Sequence, residues 1–482
     1  MAVASRLFAG PASRPISLDP GRISAIVLIA LIFAVLGEAV FRSDLLRQAA
    51  RVLLIAYLAL EWRGIQRTGR AMIAVAGALT VAGGVLTADP GAAIGRALDQ
   101  AAFFATFFAN QFFLREPART SPLVRRSASF FIDQPPARRY GLLTLGGFLF
   151  GIILNIGVLS LLGLMIRRWL SAAGGSAAIR AVRERRMVLA VLRGFAVAPL
   201  GSPISMVMAV VLSVMPGLSW TTVFPLGLMT AALLLTLGCV QDRLEAPRQT
   251  VPVVVTSGAR DPMALLGIVG IVLGVFVLAV GIEFAADIPL ARAVLVAVPL
   301  AGLIWLGWQH RRFGPVRGVR LVSRPLVREG ARLFPRYRTE IAVLSSAGFI
   351  GTLFSLLIPQ GRLAVLLLHL PVPLMFLPGL LTVLVVGLSL IGVNPIVSVT
   401  IFASAFQGVP DAGIPAAVLA LALMAGWALG VNASPLTASA MIIADMVDRT
   451  AREVTRDWNG RYVRRALLLM AVWLAGLTVF LG

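Results

Sequence analysis

The sequence is most informative first for what it does not contain. It has no lysine, so all 43 basic residues are arginine. That reads as the coding bias of a GC-rich bacterium rather than as a mechanism. One cysteine, Cys239, excludes an internal disulfide and a cysteine metal cluster. Two histidines, His310 and His369, are too few and too far apart for a histidine-rich metal site, and no cofactor is expected. No G-x-x-x-x-G-K loop occurs, which excludes ATP-driven transport by this chain alone. Charge itself is scarce: 13% of residues are charged, against about a quarter in soluble domains.

What is present is apolar text. Of 482 residues, 59% are hydrophobic and the mean hydropathy is +0.91. The fold class that follows is all-α, a polytopic membrane protein with about 10–12 crossings, and the lipid bilayer is its first partner. The net charge of +22 would raise nucleic acid as a partner in a soluble chain. Here the arginines cluster in loops between apolar runs, the pattern of positive-inside topology and of attraction to anionic lipid, so nucleic acid is not expected. A multi-pass protein of the bacterial inner membrane is the expected localisation.

Four regions can be marked. Residues 1–139 hold the N-terminal membrane segments and a basic loop, 115–139. Their first apolar run, Ile23–Val40, reads as an uncleaved span. Leu45–Trp62 and Ala92–Leu114 are weak spans, since they carry Arg47, Arg51, Arg96, Asp99 and Asn110. Glu38 has no evident pair. Residues 140–308 form a first unit, 309–339 a linker with nine arginines against Glu329, and 340–482 a second unit.

The two units share a plan. GSPISMVMAVVLSVMPGLSW (201–220) aligns with VNPIVSVTIFASAFQGVPDA (393–412), placing Ser202-Pro203-Ile204 on Asn394-Pro395-Ile396. In the same comparison Gly147-Phe148 falls near Gly348-Phe349, and Leu237-Gly238 on Leu429-Gly430. If Met187–Met215 crosses once, five crossings separate the units and the second is inverted. If it re-enters as a hairpin, the parity changes. Inverted units with proline-broken helices or hairpins mark secondary transporters.

The polar-proline positions supply the candidate site: Ser202 and Ser205; Asn394, Ser398 and Thr400; and Asn432, Ser434, Thr437 and Ser439 in GVNASPLTASAMIIAD, which closes on Asp445. Proline frees backbone carbonyls, and neighbouring hydroxyl and amide oxygens add ligands suited to Na+. The bland alternative is a proline kink with small residues for close helix packing. Asp445 either binds a proton or Na+, or is a solvated helix end. Arg193 either pairs a carboxylate or phosphate of an anionic substrate, or snorkels to the basic face beside Arg185 and Arg186.

With these motifs the chain resembles the ion transporter superfamily, which includes divalent-anion/sodium symporters and citrate or gluconate permeases. The resemblance covers residues 140–482 and is architectural. The Ser-Asn-Thr motif of the dicarboxylate symporters is replaced by Gly-Ser-Pro, Val-Asn-Pro and Asn-Ala-Ser-Pro. It implies transport of a small organic anion, coupled to Na+ or H+, by an elevator-like motion in a homodimer. Two alternatives stay open: a flippase or assembly factor for envelope polysaccharide or lipid, and a membrane enzyme acting on glycans or using His369.

Overall fold

The computed structural model describes residues 20–87, 89–172, 174, 176–215, 217–245, 262–311, 337–357, 369, 371–406 and 413–482. Most of the 309–339 linker and part of the apolar stretch after Leu357 lie outside the described residues. Within them there is no strand. Eight helices are long and apolar enough to cross a bilayer, and Leu374–Leu390 and Pro395–Ala405 are shorter apolar helices. The protein is an all-α polytopic membrane protein.

The chain begins with α1 (Pro20–Phe41), α2 (Asp44–Glu61), α3 (Arg67–Leu86) and α4 (Pro90–Thr120). Several of their charges are paired, which is how such segments lie in apolar surroundings. Arg51 grips Asp99 through two 2.7 Å hydrogen bonds, joining α2 to α4. Glu38 is not alone: Arg47 lies 3.2 Å away and Arg292 3.8 Å.

The basic loop expected at 115–139 is helix instead. α4 continues to Thr120 and α5 spans Pro122–Ile132. Pro122 and Pro136 stand at the first position of their helices, where the missing N–H costs nothing, while Pro117 lies inside the last turn of α4.

Next come α6 (Pro136–Leu154), α7 (Gly157–Ala172), α8 (Ala177–Val197), α9 (Met206–Val214), α10 (Trp220–Glu245), α11 (Pro262–Ala286) and α12 (Leu290–His310). Pro299 inside α12 leaves the Leu295 carbonyl without its helical donor. Asn110 of α4 supplies one through its side-chain amide at 2.9 Å.

The second half holds α13 (Arg338–Leu357), α14 (Leu377–Leu390), α15 (Pro395–Ala405), α16 (Ala416–Ala433), α17 (Ala438–Val447) and α18 (Gly460–Leu481). α16 is the hub of the interior. Every residue from Ala417 to Gly426 is buried, so it is apolar all round, as a helix without a solvent or lipid face must be.

Candidate functional site

Met187–Met215 neither crosses as one helix nor folds back as a helix pair of equal legs. It is a broken helix. α8 stops at Val197, residues 198–205 unwind, and α9 restarts under a cap in which the Ser205 hydroxyl accepts from the Met208 N–H at 3.2 Å. The same hydroxyl donates to the Pro199 carbonyl, six residues back.

The second half builds the same object. α16 stops at Ala433, and α17 restarts under Thr437, whose hydroxyl accepts from the Ala440 N–H at 3.3 Å and reaches the Val431 carbonyl, again six residues back. The break sequences are Ser202-Pro203-Ile204-Ser205 and Ser434-Pro435-Leu436-Thr437. Eight residues before each serine stands a glycine pressed on a threonine carbonyl. A Cβ on Gly194 would lie 2.0 Å from the Thr144 oxygen, and one on Gly426 would lie 3.2 Å from the Thr382 oxygen.

The geometry therefore joins Ser202 to Ser434, not to Asn394. Asn394 opens α15 in a different motif, a helix–turn–helix. There its side chain caps the Ile396 N–H at 3.0 Å, and Gly392 takes a φ of +98°. Its counterpart is the α6–α7 turn, where Asn155 has a φ of +50°. Each helix–turn–helix supports the broken helix that follows it: α6 packs along α8, and α14 along α16. The pieces beyond the breaks cross over, so that α9 packs on α15 and α17 on α7.

The two broken helices run in opposite directions. Arg185, near the start of α8, donates to the Trp458 carbonyl just beyond α17 at 3.5 Å. Arg465 at the start of α18 reaches Glu245 at the end of α10 at 3.0 Å. One broken helix thus leaves the end of the bundle at which the other arrives.

Apart from Arg193 and Asn432, the predicted site residues divide into three groups. Ser202 and Ser398 have buried hydroxyl oxygens without a hydrogen-bond partner among the described residues. Ser202 lies in the connection that leads into α9, and Ser398 lies on α15, against which α9 packs. Buried polar atoms are nearly always partnered, so these two orphan hydroxyls stand out within the predicted site set. Ser205, Ser434, Thr437, Ser439 and Thr400 form the second group, and their hydroxyls are engaged. Ser434 donates to the Ser389 carbonyl at 2.7 Å, Thr400 to that of Ile396 at 2.7 Å, and Ser439 to Thr437 at 3.2 Å. The bonds of Ser205, Ser434, Thr437 and Ser439 lie at the breaks, whereas that of Thr400 is internal to α15. Asn394 and Asp445 form the third group, and both are exposed. Asp445 has no bonded partner among the described residues and stands near the end of α17, away from the break.

Arg193 does not snorkel. It is 4% exposed and held inside the bundle. Its Nε donates to the side-chain Oδ1 of Asn459 at 2.8 Å, and Nη1 donates to the Tyr140 hydroxyl at 2.7 Å. The guanidinium also covers the Tyr462 ring at 4.3 Å. Asn459 passes the connection to Asn432, donating to its backbone and side-chain oxygens at 3.0 and 3.1 Å. Arg193 of the first broken helix is thereby tied to Asn432 of the second. No carboxylate pairs Arg193 among the described residues, so its charge is held by neutral oxygens and π faces.

Tyr140, Asn459 and Tyr462 were not singled out from the sequence. Each is a lone polar residue at a helix start in arginine-rich text, and only the crossing of α6, α8, α16 and α18 gives it a partner. His369, the residue the enzyme alternative needs, is exposed in a turn.

No protein-family model matches the chain, and no curated protein matches it in sequence. Among the solved structures that share the fold are two membrane proteins. The YdaH transporter of Alcanivorax borkumensis is 15% identical with a TM-score of 0.52, over 86% of this chain and 99% of that one. MtrF of Neisseria gonorrhoeae, described within a class of antimetabolite efflux pumps, is 13% identical with a TM-score of 0.56, over 85% of this chain and 95% of that one.

Proposed function

We propose that this chain is a secondary active transporter that moves a small anionic solute across a bacterial inner membrane. The observation that carries the reading is the pair of Ser-Pro breaks, alike in hydrogen-bond frame and opposite in chain direction. This is the arrangement of inverted repeats, in which broken helices turn freed carbonyls and N–H groups toward a site near mid-bilayer. The fold shared with YdaH and MtrF supports it, and antimetabolite efflux is the activity MtrF's description carries. The ion transporter superfamily and its homodimer belong to the same reading.

The solute or ion sits beside Ser202 and Ser398. Na+ is the favoured coupling ion. Hydroxyl and carbonyl oxygens suit it, and among the described residues no carboxylate lies at either break to carry a proton. Arg193 serves as the cationic strut between the moving parts and biases the site toward anions.

Flux into proteoliposomes tests this. Ser202→Ala and Ser398→Ala should each lower Na+-driven flux at least tenfold while thermal stability stays at the wild-type value. Unchanged flux in both would remove the site at the breaks.

A further inference from the structure

A second basic cluster lies apart from the breaks, at the end of the bundle where α8 begins. Arg139 is 5% exposed and Arg183 is 7% exposed. Neither makes an ion pair among the described residues. Arg139 donates its Nε to the Gln134 carbonyl at 2.9 Å and lies over the Trp169 ring at 3.9 Å. Arg183 reaches the Gly174 carbonyl at 3.5 Å through Nη1, and its Nε is buried with no partner. Asp133 is the carboxylate that Arg139 senses, and it forms no ion pair with it. Arg186, the next arginine on α8, is taken by Asp242 through bonds of 2.8 and 2.7 Å.

Buried charge without a counter-charge is among the costliest arrangements in a folded chain. The cost is visible here: burial, and then the like charge of Arg183, pull the Arg139 guanidinium down to about 10. The surface around the pair adds more positive charge, since Arg138, Arg167, Arg168 and Arg180 are exposed. Basic pockets between helices at a membrane face, with an aromatic ring at headgroup level, take lipid phosphates.

We propose that Arg139 and Arg183, with Trp169 beneath Arg139, form a binding site for a phosphate group. The orphan Nε of Arg183 is the donor awaiting it, and planar guanidinium forks match phosphate oxygens. The phosphate is carried either by an anionic phospholipid headgroup or by a soluble phosphate. The site does not depend on transport and would exist in a chain that transports nothing.

The test uses delipidated full-length protein in neutral detergent. Thermal unfolding is followed with phosphatidylglycerol, phosphatidylcholine, sodium phosphate, or sodium chloride at matched ionic strength. Phosphatidylglycerol or phosphate should raise the midpoint, and Arg139→Gln and Arg183→Gln should each erase the gain. Arg138→Gln and Arg180→Gln, which remove exposed charge nearby, should keep it. A gain from phosphatidylglycerol alone assigns the site to lipid, and a gain from phosphate alone assigns it to a soluble ligand. Without either ligand, Arg183→Gln should unfold at or above the wild-type midpoint, because it relieves repulsion, whereas a purely structural arginine would lower it. Should the variants fail to fold, native mass spectrometry of the wild type decides: the proposal requires severalfold greater retention of phosphatidylglycerol than phosphatidylcholine, or a retained phosphate adduct. Equal lipid retention without a phosphate adduct, or a stability gain that survives both substitutions, overturns it.

Discussion

The two breaks differ in one hydroxyl. In the second, Ser434 is spent on the Ser389 carbonyl, and Ser389 in turn donates to Gly430 at 3.3 Å, so the break is stitched to the tip of its own helix–turn–helix. In the first, the equivalent Ser202 hydroxyl is buried and unpartnered. One sequence motif thus serves two ends. The second break is a closed joint, and the first has a buried hydroxyl oxygen with no partner among the described residues. Two breaks with the same hydrogen-bond frame thus differ in the partner of a single serine.

That contrast can be broken first at the glycines. Gly194→Ala drives a methyl into backbone, 2.0 Å from the Thr144 oxygen and 2.9 Å from the Phe148 nitrogen. Gly426→Ala meets chiefly the Val385 side chain at 2.8 Å. Thermal unfolding in detergent should show a loss of about 3 kcal/mol for the former and about 1 kcal/mol for the latter. Equal losses would mean that α6–α8 and α14–α16 are packed alike. Next in size is Asn459→Ala, which strips the oxygen from the buried Arg193 Nε and should cost about 2 kcal/mol. A neutral result would show that Arg193 finds another partner.

Ser434→Ala and Ser202→Ala sharpen the comparison most. Ser434→Ala should lose about 1 kcal/mol of stability, because it removes a buried hydrogen bond to the Ser389 carbonyl, which keeps the Gly392 N–H. Ser202→Ala should change stability by less than about 0.5 kcal/mol, because it removes no bond. The caps should behave alike: Ser205→Ala and Thr437→Ala should each cost about 1 kcal/mol, a parity that tests whether the two frames are equivalent.

Much of this was legible in the sequence, and the misses have physical causes. Apolar runs and arginine-rich connections announced the helical membrane fold, because lipid allows few other solutions. The two Ser-Pro tetrads were visible, yet Asn394-Pro395 competes with them for the alignment. A capping side chain followed by proline at the first helical position opens a helix in either topology, so local chemistry cannot tell a broken helix from a helix–turn–helix. The second partner of Glu38, Arg292, and the Arg193–Asn459 link depend on contacts hundreds of residues apart, whereas Arg47 lies only nine residues from Glu38. No periodicity encodes them. The orphan oxygens of Ser202 and Ser398 are likewise defined by what fails to approach them in three dimensions.

The most direct test of the central claim is ligand-dependent stability of the purified protein, measured against a panel of small organic and inorganic anions in Na+ or in K+. A ligand bound only by the folded state, at a hundredfold excess over its dissociation constant, adds about 2.7 kcal/mol. The account predicts a gain with one class of anion that requires Na+ and disappears in Ser202→Ala. The same gain in K+, or a gain untouched by Ser202→Ala, would contradict a Na+-coupled site at the first break.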